Sequence, residues 1–226
     1  MSENAWYQGP LMGFDTETTG VVPKKDRVIQ AGIVTEKKDH DWLINPQVPI
    51  DPGAVAVHGI SDDKVKAEGI DPKAALEEVA AHLRTAIEER IPVVIYNAPF
   101  DLTLMYYEFE RHGITDVDLE RLLIVDPLVL DKQMDRFRKG KRKLDIVAAH
   151  YRVELSDAHS ALADARASVA LARILGERFA DLAAMDAAEL CAAQKEWYAA
   201  DKERFEAWLR SKGRDADIDR RWPLAL

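Results

Sequence analysis

Apolar positions along the chain fall into short blocks, and the change of period from block to block marks the elements. Residues 11–14 form a brief apolar run that ends in a polar cluster before Gly20, the pattern of a buried strand entering a loop. Residues 28–35 and 41–44 flank the polar turn Glu36-Lys37-Lys38-Asp39 and predict a hairpin extending the same sheet. Residues 45–69, rich in Pro, Gly and Asp, predict a long irregular connection with short helical turns. Asp71 before Pro72 supplies a cap and a first-turn proline, after which Leu76, Val79, Leu83 and Ile87 recur at helical spacing to about Arg90. Pro92 opens the apolar strand V-V-I-Y, a helix runs from about Phe100 to His112 and is closed by Gly113, and residues 122–125 form another buried strand ending at Asp126. Helices are predicted at 128–137, 144–151 and 160–179.

Strands first, then alternating helix and strand, then helices, predict an α/β fold: a mixed β-sheet flanked by helices over residues 1–180. Beyond Asp181 the composition shifts to Ala, Glu and aromatic residues, predicting a C-terminal helical extension over 181–226. Asp186 caps a single long helix there, and the last stretch to Leu226 reads as polar and frayed. Trp197 and Trp208 on that helix either pack back on the core or form a patch for a partner.

Composition narrows the class. With 226 residues, 47% hydrophobic and 31% charged, the chain suits one globular core and excludes disordered, collagen-like and coiled-coil proteins. No apolar stretch is long enough for a bilayer, since even residues 122–130 are interrupted by Asp126 and Pro127. The amino terminus lacks the basic and apolar regions of a secretory signal, and the one cysteine, Cys191, cannot form an internal disulfide. A reducing, cytoplasmic setting is therefore expected. The net charge of -9 argues against coating nucleic acid by bulk electrostatics. A local exception lies in K-Q-M-D-R-F-R-K-G-K-R-K, where Arg138, Lys139, Lys141, Arg142 and Lys143 form a cationic patch that fits either a solvated loop or phosphate contact.

Three groups of residues carry candidate chemistry. Asp15 and Glu17 in F-D-T-E-T-T-G project to one side of an extended backbone, and two carboxylates so placed repel unless a cation sits between them; magnesium or manganese suits hard oxygen ligands. The bland reading is a turn with solvated acids. Asp101, in V-V-I-Y-N-A-P-F-D, follows a second strand in the first turn of a helix, where an acid is also favoured by the helix dipole. In D-A-H-S-A-L-A-D-A, His159 precedes a helix whose first turns carry Asp164.

Together these segments resemble, in order and separation, the three motifs of the DnaQ-like exonucleases of the DEDDh type, over residues from about 10 to 180. Asp15, Glu17, Asp101 and Asp164 fall on the four acids, and His159 falls on the histidine of an H-x-x-x-x-D unit. V-H-G-I, with His58, resembles the family segment that contacts the terminal nucleotide, and Asn97 with Phe100 fits N-A-x-F-D. At Gly53 the chain departs from the family, where a glutamate often approaches the substrate.

The resemblance implies an RNase H-like sheet and hydrolysis at a 3' end that releases nucleoside 5'-monophosphates. It also implies a pair of Mg2+ or Mn2+ ions, roughly 3.5 to 4 Å apart in such sites. Asp15 would touch both ions, Glu17 and Asp164 would complete the water-activating site, Asp101 would help the second, and His159 would act as general base. Thr16 and Thr18 are candidate donors to the terminal nucleotide, with Phe100 and His58 stacking on or packing beneath bases. A frayed or single-stranded DNA 3' end is the expected substrate, an RNA-trimming enzyme of the same superfamily the nearest alternative, and a non-catalytic module docking on a polymerase through the C-terminal helix a third.

Overall fold

The computed structural model describes residues 5–155 and 160–226. Its centre is β1 (Met12–Thr18), which pairs antiparallel with β2 (Val28–Val34) on one side and parallel with β4 (Val93–Val94) on the other. The hairpin partner β3 (His40–Leu43) and the parallel strand β5 (Ile124–Val125) complete a five-stranded mixed sheet in the order β3-β2-β1-β4-β5. Helices α1 (Pro52–His58) and α2 (Asp62–Glu68) occupy the connection expected to be irregular; each is short and capped, by Asp51 and Ser61. The larger helices are α3 (Pro72–Glu88), α4 (Ala98–His112), α5 (Pro127–Met134), α6 (Leu144–Tyr151), α7 (Ala161–Arg178) and, after the short α8 (Ala180–Ala183), α9 (Ala187–Ser211).

Alternation along the short parallel strands divides the core. Val93 and Ile124 pack with Phe14, Leu76, Leu83, Leu102 and Met105, whereas Val94 and Val125 pack with Leu130, Val147, Leu171, Leu175 and Leu190. One face of the sheet thus buries α3 and α4, and the other buries α5, α6, α7 and the start of α9. The position of α7 depends on two glycines. A Cβ at Gly13 would lie 2.7 Å from Val169 Cγ2 and 2.8 Å from the Ala165 carbonyl oxygen, and one at Gly32 would lie 2.5 Å from the Leu162 nitrogen. Bare backbone at these positions lets the helix rest directly on β1 and β2.

Three sequence expectations change. The first strand continues through Thr18, so Asp15 and Glu17 are strand residues. The second motif's helix begins at Ala98, one residue after Asn97 turns the chain in the left-handed region (φ 64°). The last stretch is not frayed. Trp222 is buried in the α3–α4 cluster with Leu224 packed beside it, the Ala225 N–H donates to the Thr103 hydroxyl at 2.9 Å, and Glu206 accepts from the Ile218 N–H. A polar composition concealed two apolar anchors that repay the ordering of the tail.

Helix α9 finishes the sheet. Gln194 is fully buried, with its side-chain oxygen accepting from the Asp126 N–H at 2.7 Å and its Nε2 donating to the Ile124 carbonyl at 2.8 Å. Backbone groups of the edge strand β5 are thereby satisfied by a side chain. The tryptophans of α9 divide: Trp197 packs on the core, while Trp208 stays half exposed and stacks on Phe205, ring centroids 6.0 Å apart. Among the described residues no helix is long and apolar enough to cross a membrane.

Candidate active site

Asp15 and Glu17 stand two residues apart on β1 and therefore share a face, which is the face that α7 covers. Asp15 lies across the ladder from Gly32, and the first turn of α7 rests on that glycine. Gln30 assists by accepting from the Ala161 N–H at 3.3 Å. Asp164, in the first turn of α7, is thus set against β1: carboxylate oxygens of Asp15, Glu17 and Asp164 lie within 4.8 Å of one another.

Asp101 arrives from α4 and is 4% exposed. Its Oδ1 accepts two hydrogen bonds from Thr16, from the hydroxyl at 2.6 Å and the backbone N–H at 3.1 Å. The turn that carries it is held by Asp126, fully buried at the end of β5. Asp126 accepts from the N–H groups of Asn97 (2.9 Å), Ala98 (3.0 Å) and Leu128 (3.0 Å), spanning the starts of α4 and α5. Its carboxyl is pushed up to about 6 by burial, against those same donors.

The electrostatics are those of an over-filled anionic site. Burial, then Asp101, Asp164 and Glu17, hold the Asp15 carboxyl well above the usual range. Burial, then Asp164 and Asp101, push Glu17 up to about 7. Asp101 is also pushed up to about 7 by burial, although the Thr16 hydrogen bonds oppose the shift. Carboxylates that resist ionising beside one another are suited to a divalent cation, which removes the repulsion and needs anionic oxygen ligands. The donor set fits magnesium or manganese.

Two cavities adjoin the acids. One, of about 900 Å³, is lined by Thr16, Glu17, Thr18, His58, Phe100 and an apolar rim that includes Val22, Val48 and Val57. The other, of about 470 Å³, opens over Asp15, Glu17, Asp101 and Asp164, with Tyr96, Asn97, Leu128, Arg142 and Lys143 at its border. His58 Nδ1 accepts from the Ile60 N–H at 3.0 Å, and the Thr18 hydroxyl donates to the Gly20 carbonyl at 2.6 Å. Both threonine hydroxyls therefore donate within the protein: Thr16 secures Asp101, and Thr18 secures the loop after β1. His159, the expected base, lies outside the described residues.

The basic run is partly structural. Arg138 and Arg142 both donate to the buried Asp131 carboxylate, which also accepts from the Tyr151 hydroxyl at 3.0 Å. Lys139, Lys141 and Lys143 remain exposed. Sequence reasoning missed Asp131 as the anchor of this loop, and missed Gly13, Gly32 and Asp126 as the residues that aim the acids. An acid between an apolar strand and Pro127 was a visible sign for Asp126, but it is the same sign that any helix cap gives.

Acids gathered from a central strand, the start of α4 and the start of α7 on a mixed five-stranded sheet define an RNase H-like domain of the nuclease type. The family model described as Exonuclease, RNase_T, matches residues 12–172, and the chain belongs to that family of DnaQ-like exonucleases. It is similar to the DNA polymerase III PolC-type of Lacticaseibacillus paracasei, 30% identical over 160 residues, which are 69% of this chain and 10% of that protein. It is also similar to the DNA polymerase III subunit epsilon of Haemophilus influenzae, 32% identical over 166 residues, covering 67% of this chain and 61% of the subunit. The chain thus spans about a tenth of the PolC-type polymerase and under two thirds of that epsilon subunit. Among solved structures, E. coli Exonuclease I in complex with a dT13 oligonucleotide shares the fold, with a TM-score of 0.66 at 21% identity over 77% of this chain and 42% of that one.

Proposed function

We propose that the protein is a 3'-5' exonuclease that depends on Mg2+ or Mn2+ and removes nucleoside 5'-monophosphates from single-stranded or frayed DNA 3' ends. The observation that carries this reading is the meeting of Asp15, Glu17 and Asp164 oxygens within 4.8 Å, with Asp101 in electrostatic contact, beside a cavity of about 900 Å³. Similarity to polymerase III subunits supports DNA over RNA as substrate.

Asp15, Glu17, Asp101 and Asp164 would hold the cations. When bound, these supply charge neutralisation and Lewis-acid stabilisation of the negative charge that builds on the phosphoryl oxygens. The larger cavity, with His58, Phe100 and its valine rim, takes the terminal nucleoside by apolar contact. A nucleoside held there would have its phosphodiester beside the acids, which supports a 3' end frayed from its partner as the substrate. His159, the base that the resemblance names, would take the proton of the attacking water on its imidazole, whose ordinary pKa near 6.5 suits neutral pH. Thr16 keeps Asp101 aimed and favours its anionic form, and Asp126 keeps the turn beneath it closed.

The test is digestion of matched DNA and RNA oligonucleotides labelled at the 5' end, single-stranded and with recessed 3' ends, in magnesium or manganese. Stepwise shortening of the single-stranded DNA from its 3' end, with 5'-monophosphates released, is expected. Faster shortening of the RNA would reassign the substrate to RNA, and internal cleavage would end the exonuclease reading.

A further inference from the structure

A third, small cleft of about 20 Å³ lies between α5 and α9, lined among others by Lys132, Tyr198, Asp201, Lys202 and Arg204. Asn97 and Leu128 border both this cleft and the cavity over the acids, so the two are neighbours. Three cations and a single carboxylate line the cleft, in a protein whose net charge is -9. Asp201 is shared by Lys132, at 2.8 Å, and Arg204, at 3.6 Å, which leaves cationic charge in excess. Lys202 lies over the Tyr198 ring, 4.7 Å from its centroid, which fixes the ammonium at the cleft. Burial, then Lys132, hold the Lys202 ammonium below its usual pKa, while Asp201, Asp126 and Asp219 oppose the shift.

Four of these five residues, Tyr198, Asp201, Lys202 and Arg204, belong to α9, beyond the residues 12–172 that the family model matches. On the exonuclease reading above, we infer that the nucleic-acid strand upstream of the scissile bond runs over the rim of this cleft, with Lys202, Arg204 and Lys132 holding its phosphates. The occupant follows from adjacency to the acids and from charge. One side of the acids is taken by the apolar cavity for the terminal nucleoside, and the polyanion leaving on the other side meets the cations of α5 and α9. The C-terminal extension then contributes to substrate affinity as well as to the fold.

The experiment compares KM for a deoxydinucleotide, too short to reach the cleft, with KM for a twelve-residue single-stranded oligodeoxynucleotide. Wild type is expected to favour the longer substrate by about tenfold at low salt, a preference produced by phosphate contacts. Lys202→Gln/Arg204→Gln should reduce that ratio below about threefold and make the log-log salt dependence shallower by about one to two units. Lys202→Arg, which keeps the charge, should preserve the ratio and show that its loss is not a packing defect. Lys212→Gln/Arg214→Gln removes equal charge past the end of α9 and should also preserve it. A wild-type ratio and salt slope in Lys202→Gln/Arg204→Gln would overturn the inference. Failure of the wild type to hydrolyse either substrate would instead remove the exonuclease reading on which it rests.

Discussion

Thr16 is joined to Asp101 twice, by its hydroxyl and its backbone N–H on the same carboxylate oxygen, at 2.6 and 3.1 Å. The pair links β1 to α4 and makes the residue between the two strand acids the support of the acid that comes from the helix. Replacing Thr16 by Val removes the hydroxyl and leaves the backbone bond. A charge-assisted hydrogen bond of this kind contributes about 1.5–3 kcal/mol. Its loss raises the Asp101 pKa further above about 7. Thr16→Val is expected to lower kcat by about tenfold or more and to raise the metal concentration for half-maximal rate, while Thr16→Ser restores both. A metal titration of initial rates checks this.

Gly32 controls the approach of α7. A methyl group there would meet the Leu162 nitrogen at 2.5 Å and the Ala161 carbonyl carbon at 2.6 Å, both backbone atoms with no rotamer to yield. Gly32→Ala should cost about 1–3 kcal/mol, the usual range for overpacking, and should lower kcat by shifting Asp164 away from Asp15. Gly9→Ala, where an added methyl meets nothing within 4 Å, should leave melting temperature and rate unaltered. Thermal melts and kinetics of the two variants test the contrast.

Asp126 accepts three backbone donors through two oxygens. In Asp126→Asn one oxygen becomes an NH2, which faces a backbone N–H instead of accepting from it. About 1–3 kcal/mol of stability should be lost, as for a buried donor left unmet. Rate should also fall, because the turn under Asp101 loosens. Amide exchange at Asn97 and Ala98, faster in the variant than in wild type, would distinguish local opening from global destabilisation.

The acids also predict how the metal-free protein responds to pH. Glu17 and Asp101 titrate near 7 in the fold and near 4 when unfolded, so between those values the folded state binds more protons. Stability present below about pH 4 is therefore lost as pH rises toward 7 and beyond. In chelator the melting temperature should fall by roughly 5 °C or more between pH 5 and 8. Added Mn2+ should reverse the fall, since ions binding only the folded state stabilise it. Differential scanning calorimetry across that range is the check.

The legible part of the molecule was the part written in periodicity and in motif spacing. Alternation on β1 put Asp15 and Glu17 together, and helical spacing located α3 and α7, because burial of an apolar face imposes those periods on the chain. What could not be read was long-range. Gly32 is a glycine among strand residues until α7 lies on it, and Asp131 is one helix acid among many until Arg138 and Arg142 close on it. The tail misled for a similar reason: Trp222 and Leu224 anchor it against a surface that local composition does not reveal.

The central claim is that carboxylates from three separate segments form one binding site for divalent cations, and calorimetric titration of Mn2+ into wild type and Asp15→Asn tests it most directly. The account predicts saturable binding to wild type, with protons released near pH 7 as Glu17 and Asp101 ionise, and loss of that binding in the folded variant. Equal Mn2+ binding by wild type and a folded Asp15→Asn protein would contradict it.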